Sequence, residues 1–141
     1  MILPDLAATE ALAARLASLA RPGDALLLSG PLGAGKSALA RGFLRALLHD
    51  PGLEVPSPSY TLVQSYALPG GGQAHHFDLY RLAGPADLRE LGWEDALGDI
   101  VVVEWPERLG DMAPPGALRL ALAPIDEDAR EASLTGWEGR L

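Results

Sequence analysis

Asp24-Ala25-Leu26-Leu27-Leu28-Ser29-Gly30-Pro31-Leu32-Gly33-Ala34-Gly35-Lys36-Ser37 runs from an apolar stretch straight into a glycine-rich loop. From Gly30 onward it fits G-x-x-x-x-G-K-[ST], whose backbone N–H groups wrap the phosphates of a nucleotide. The pattern carries meaning only between a strand and a helix. Both are predicted: Asp24–Ser29 reads as a buried strand, and Lys36–His49 as a helix with Leu39, Phe43, Leu44, Leu47 and Leu48 on its inner side. Loop amides and the start of that helix then converge on an anion, and the helix dipole adds to their pull. Lys36 is the only lysine in the chain; every other cationic side chain of this class is arginine. A compact ammonium can reach the β- and γ-phosphates where arginine's planar fork fits poorly. The stretch predicts a nucleoside triphosphate site on an α/β P-loop NTPase fold.

Outward from that loop the pattern stays mixed. Asp5–Ala20 carries Leu6, Leu12, Leu16 and Leu19 at helical spacing and closes on Arg21-Pro22-Gly23. Pro51–Pro58 reads as an irregular connection. Tyr60–Tyr66 and Gln73–Tyr80 read as strands joined across Pro69-Gly70-Gly71-Gly72, a β-hairpin. Pro85–Leu97 suggests short helices broken at Gly92. Asp99–Glu104 is a second buried strand ending on a carboxylate, and Ala117–Ala123 with Ala129–Thr135 forms a last strand pair. The expected architecture is one P-loop domain over residues 1–141, with additional antiparallel strands.

Composition narrows the function. A chain of 141 residues has room for one normal core and little for a second. The apolar runs at Leu26–Leu28 and Ile100–Val103 fall far short of the roughly 20 residues that cross a bilayer, so no membrane role is expected. The N-terminus lacks the basic start and apolar stretch of a secretory signal, and a cytoplasmic location is the default expectation. Zero cysteines exclude disulfides, thiolate metal sites and a cysteine nucleophile. A net charge of −8 argues against a large direct nucleic-acid footprint.

The loop fixes what chemistry to look for next. The Ser37 hydroxyl should reach Mg²⁺ bridging the β- and γ-phosphates. Glu104, at the end of a buried strand, is placed to complete that metal shell; a surface carboxylate at a strand end would look the same. Asp78, in His76-Phe77-Asp78-Leu79-Tyr80-Arg81, could orient or activate the attacking water. Strand alternation puts His76, Asp78 and Tyr80 on one face, a pattern that also suits a solvated strand face. His75 is expected to face solvent. Ser57–Thr61 reads either as a γ-phosphate-sensing loop or as plain turns. Trp105 either packs on a base or a partner or caps the core, and Trp93 and Trp137 are expected in the core. With one lysine, the guanine-reading N-K-x-D motif cannot exist, which favours ATP over GTP.

Taken in order, Leu32–Ser37, Ser57–Val63, His76–Arg81, Glu90-Leu91-Gly92 and Val103–Glu107 resemble the TsaE family, small bacterial ATPases that assist tRNA threonylcarbamoyladenosine formation. The resemblance runs from Asp5 to about Ala132. It implies Gly33, Ala34, Gly35, Lys36, Ser37 and Ala38 on the phosphates of ATP, and Ser37 and Glu104 on Mg²⁺. Lys36 and Asp78 would be catalytic. Thr9, Glu107 and Arg130 would approach the nucleotide. The partners implied are TsaD, which transfers the threonylcarbamoyl group, and its scaffold TsaB, with tRNA reached only through them. ATP hydrolysis would reset that complex between turnovers. The chain departs from the family pattern at Ala38, where a second hydroxyl residue is common, and at Ser59, where threonine is common. The alternative activity is that of a P-loop small-molecule kinase, although no arginine-rich lid is visible.

Overall fold

The structure is a computed structural model describing residues 1–141. In chain order it contains β1 (Ile2–Leu3), α1 (Leu6–Leu19), β2 (Ala25–Ser29), α2 (Lys36–Leu47), β3 (Val63–Ala67) and β4 (Gln73–Asp78). Then come α3 (Pro85–Glu90), α4 (Trp93–Ala96), β5 (Ile100–Glu104), 3₁₀ turns over Pro106–Met112, β6 (Leu118–Pro124) and β7 (Arg130–Thr135). The strands form one seven-stranded sheet ordered β1-β7-β6-β2-β5-β4-β3. β4, β5, β2 and β6 run parallel, while β3 and β7 join their neighbours antiparallel. This is the expected α/β architecture, with antiparallel pieces at both edges. No helix is long and apolar enough to cross a membrane.

Parallel strands covered on both faces need continuous apolar runs, which is why β2 and β5 read as unbroken Leu and Val stretches. Even-numbered residues of β2, β4 and β5, such as Leu26, Leu28, Ala74 and Val102, pack with Leu12, Leu16, Leu39, Phe43 and Leu44 of α1 and α2. Odd-numbered ones, such as Leu27, Phe77, Val101 and Val103, pack with Leu88, Trp93 and Leu109 beneath α3, α4 and the 3₁₀ turns. The Asp5 side chain caps α1 by accepting the Ala8 N–H at 2.9 Å. Of the leucines at helical spacing in α1, Leu12 and Leu16 are buried, whereas Leu6, at the first position of the helix, is 58% exposed.

Trp93 and Trp137 are buried as expected. Trp93 meets Phe77 edge-on, ring centroids 5.0 Å apart, and donates its indole N–H to the Met112 carbonyl at 3.3 Å. Trp93→Ala should therefore cost about 3–5 kcal/mol in a urea titration, since it opens a large cavity in the smaller core. Trp137 lies beneath the Arg140 guanidinium, which grips Asp24 with two hydrogen bonds of 2.5 and 3.1 Å. Burial pushes the Asp24 carboxyl up, but Arg140 and the Arg21 N–H together hold it below its ordinary value near 3.8. A carboxyl depressed in the folded state stabilises fully above the unfolded pKa and loses that contribution as pH falls through the folded one. Asp24→Asn should thus unfold more easily than wild type at neutral pH, and the gap should close below about pH 4 in parallel melts.

Two strand boundaries and one side chain differ from expectation, and the short β1 is additional. β3 starts at Val63, not Tyr60, because Leu62 takes a left-handed backbone (φ 69°) and donates its N–H back to the Pro58 carbonyl. β4 ends at Asp78, since the Tyr80 N–H turns in to the Asp78 carboxylate at 3.1 Å, so Tyr80 has left the strand. His75 is not a solvent-facing residue: its ring bridges Ser65 Oγ at 2.7 Å and Asp99 at 2.9 Å, tying β3 and β4 to the residue just before β5.

Candidate functional site

β2 delivers the chain to the carboxyl edge of the sheet, where Gly30–Gly35 turns into α2. Gly30 has φ 143°, and a Cβ there would sit 2.4 Å from the Leu122 carbonyl oxygen, so only glycine lets the loop leave between β2 and β6. Gly35 starts α2 from the left-handed region (φ 101°). No side chain caps the start of α2, so its first amides can receive an anion.

The next strands bring in the carboxylates. The parallel register of β4 and β5 sets His76 beside Val102 and Asp78 beside Glu104. Alternation turns His76, Asp78 and Glu104 to the α2 face, and all three are buried. Glu104 accepts the Ser37 hydroxyl at 2.9 Å through Oε1 and the His76 Nε2–H at 2.7 Å through Oε2. Asp78 Oδ2 lies 3.4 Å from Ser57 Oγ and 3.3 Å from Ser59 Oγ, which ties the Pro56–Thr61 segment to the strand end.

Lys36 is buried among these groups. Its Nζ donates to the carbonyls of Gly30 at 2.5 Å and Pro31 at 3.0 Å, and lies 4.0 Å from the centre of the Trp105 ring. Tyr80, released from β4, also packs on Trp105, ring centroids 4.9 Å apart. Burial lowers the Lys36 ammonium below the usual lysine range, and the carboxylates of Glu104, Glu107 and Asp78 oppose that shift. A phosphate anion entering the site would draw it back up.

A cleft of about 330 Å³ opens over these atoms, lined by Leu32–Ala38, Ser57, Ser59, Asp78, Tyr80, Glu104 and Trp105. Gly33, Ala34, Gly35, Lys36, Ser37, Ala38, Asp78 and Glu104 of the sequence-derived set all lie on its walls. The others lie elsewhere. Thr9 is buried within α1. Glu107 lines a neighbouring depression with Ser29 and Arg119. Arg130 directs its guanidinium to the carbonyls of Ala34 at 3.0 Å and Gly33 at 3.2 Å, and to those of the Asp126–Ala129 turn. In this arrangement it ties the glycine loop to the β6–β7 turn. His76, read only as part of a polar strand face, is instead buried on Glu104, and Trp105, read as packing on a base or a partner or capping the core, carries the Lys36 ammonium over its ring.

Ser37 and Glu104 make a pair of hard oxygen donors. Mg²⁺ takes one or two protein carboxylate or hydroxyl oxygens and fills its shell with phosphates and water, so the pair fits that ion. The Ser37 proton is engaged by Glu104, which leaves the oxygen's lone pairs free for a cation. No group of three or more His, Cys, Asp or Glu side chains anywhere in the chain forms a metal cage, so an ion here would need other oxygens to fill its shell.

Comparison with known proteins gives the family. The family model for the threonylcarbamoyl adenosine biosynthesis protein TsaE matches residues 3–132. The chain is 34% identical to the tRNA threonylcarbamoyladenosine biosynthesis protein TsaE of Rickettsia felis, over 95% of this chain and 78% of that one. It is 31% identical to the protein of the same name from Bacillus subtilis, over 94% and 82%. The crystal structure of Bacillus subtilis YdiB superposes with a TM-score of 0.77 at 27% identity, covering 99% of this chain and 86% of that one. The chain belongs to the TsaE family.

Proposed function

We propose that the chain is a Mg²⁺-dependent ATPase that serves tRNA threonylcarbamoyladenosine formation together with proteins of the TsaD and TsaB type. The observation that carries the reading is the 2.9 Å contact between Ser37 and Glu104, which joins the phosphate-loop hydroxyl to a buried strand-end carboxylate. Loop amides and Lys36 bind and neutralise phosphate charge. Ser37 and Glu104 hold the metal, which when bound offsets charge on the β- and γ-phosphates. Asp78, steadied by Ser57, Ser59 and the Tyr80 N–H, orients the attacking water.

No arginine lines the cleft, and Arg81 lies instead 4.4 Å over the Tyr60 ring. Turnover by the chain alone is therefore slow, and a partner or a moved Arg81 completes the site. A net charge of −8 suits docking on proteins, with tRNA reached through them in the cytoplasm.

The test is product analysis with ATP labelled at the γ-phosphate, in the presence of Mg²⁺, TsaB, TsaD and tRNA. Label appearing as inorganic phosphate, faster with the partners than without, supports the reading. Label on a small-molecule acceptor would make the protein a kinase.

A further inference from the structure

Glu104 is held from two sides, and only one of them is the phosphate loop. Its second oxygen is taken by His76, 1% exposed, whose Nε2 lies 2.7 Å away. A carboxylate accepts hydrogen bonds, so Nε2 carries the shared proton. The other ring nitrogen, Nδ1, is buried with no hydrogen-bond partner. A buried imidazole with one nitrogen unpaired is a poor way to fill a core position that leucine or valine would fill without polar cost. The one polar contact His76 makes goes to Glu104.

Register explains why that contact matters. Asp78 sits directly beside Glu104 in the β4–β5 ladder, which places a like charge at its flank, and His76 lies two residues back on the same face. Without a donor on Oε2, the Glu104 carboxylate can rotate away from Asp78 and lose its line to Ser37. We propose that His76 is a positioning residue for the metal–nucleotide site: its Nε2–H fixes the Glu104 carboxylate so that Oε1 stays on Ser37. This rests on the Mg²⁺–ATP reading above and adds the residue that orients its acidic ligand.

The test is calorimetric titration of ATP into the full chain, first in EDTA and then over a series of Mg²⁺ concentrations. Wild type is compared with His76→Leu and His76→Gln, and far-UV dichroism checks the fold. Affinity in EDTA depends on the loop and Lys36, so it should be the same in all three. In His76→Leu the Mg²⁺ concentration that gives half of the tightening should rise roughly 10-fold or more, the usual loss when a ligand's supporting hydrogen bond is removed. His76→Gln carries an N–H near the position of Nε2 and should recover most of that loss. An unshifted His76→Leu, or equal shifts in both variants, overturns the role of His76. A wild type whose ATP affinity ignores Mg²⁺ removes the metal–nucleotide reading itself. Wild-type protein with ¹⁵N-labelled histidine gives a readout that needs no variant. The His76 ring signals should move when Mg²⁺ joins the ATP complex, while those of exposed His49 stay; a His76 signal indifferent to Mg²⁺ overturns the proposal.

Discussion

Lys36→Ala is expected to lower ATP hydrolysis by a factor of about 10²–10³ and to weaken nucleotide binding with it, because one charge-neutralising donor at the phosphates is lost. The electrostatics of the cleft make this the most sensitive position. Glu104 and Asp78 are buried close to the ammonium, and Lys36 is the only cationic side chain on the cleft walls. Once it is gone, the loop amides must bind a highly charged anion beside two carboxylates. Lys36→Arg should rescue little, since the ammonium fits between the Gly30 and Pro31 carbonyls and the Trp105 ring, a space shaped for a point charge. Fluorescence titration with an ATP analogue reads the binding loss, and thermal melts of the free variants show whether the fold survives. Equal affinity in wild type and Lys36→Ala would mean that the phosphates are held elsewhere.

Asp78→Asn should separate binding from chemistry. Asparagine keeps an oxygen for the Tyr80 N–H and can donate its amide to Ser57 or Ser59, so the local structure should hold. The change removes one of the two buried carboxylates near the phosphates, so ATP affinity should be unchanged or tighter. Hydrolysis should fall by about 10²–10⁴, the usual contribution of a positioned acid–base group. Rapid-quench measurement of phosphate release from preformed complex distinguishes this from slow product release. A wild-type rate in Asp78→Asn would remove Asp78 from the mechanism.

Much of this arrangement was legible in the chain because its signals are local. The strand, glycine loop and helix around Lys36 are contiguous, and Glu104 announces itself as a carboxylate closing an apolar run. The β3–β4 hairpin and the burial of Trp93 and Trp137 follow from turn residues and size. What escaped needs non-local information. That His76 reaches Glu104 depends on the parallel register of β4 with β5, and no spacing within either strand encodes it. β4 stops at Asp78 because the Asp78 carboxylate captures the Tyr80 N–H, which local alternation cannot foresee. β1 spans only Ile2–Leu3, too short for any periodicity, and exists because β7 offers it an edge. That Arg130, at the start of β7, reaches the Gly33 and Ala34 carbonyls depends on the β6–β7 hairpin and is equally non-local.

The most direct test of the central claim is multiple-turnover threonylcarbamoylation of tRNA by purified TsaB and TsaD, with this protein supplied as wild type, Lys36→Ala or Asp78→Asn. Hydrolysis at this cleft as the step that renews the complex predicts repeated turnovers with wild type, ATP and Mg²⁺. Neither variant should carry the reaction past about one round. Sustained turnover with Asp78→Asn, in a sample shown not to hydrolyse ATP, would contradict that claim.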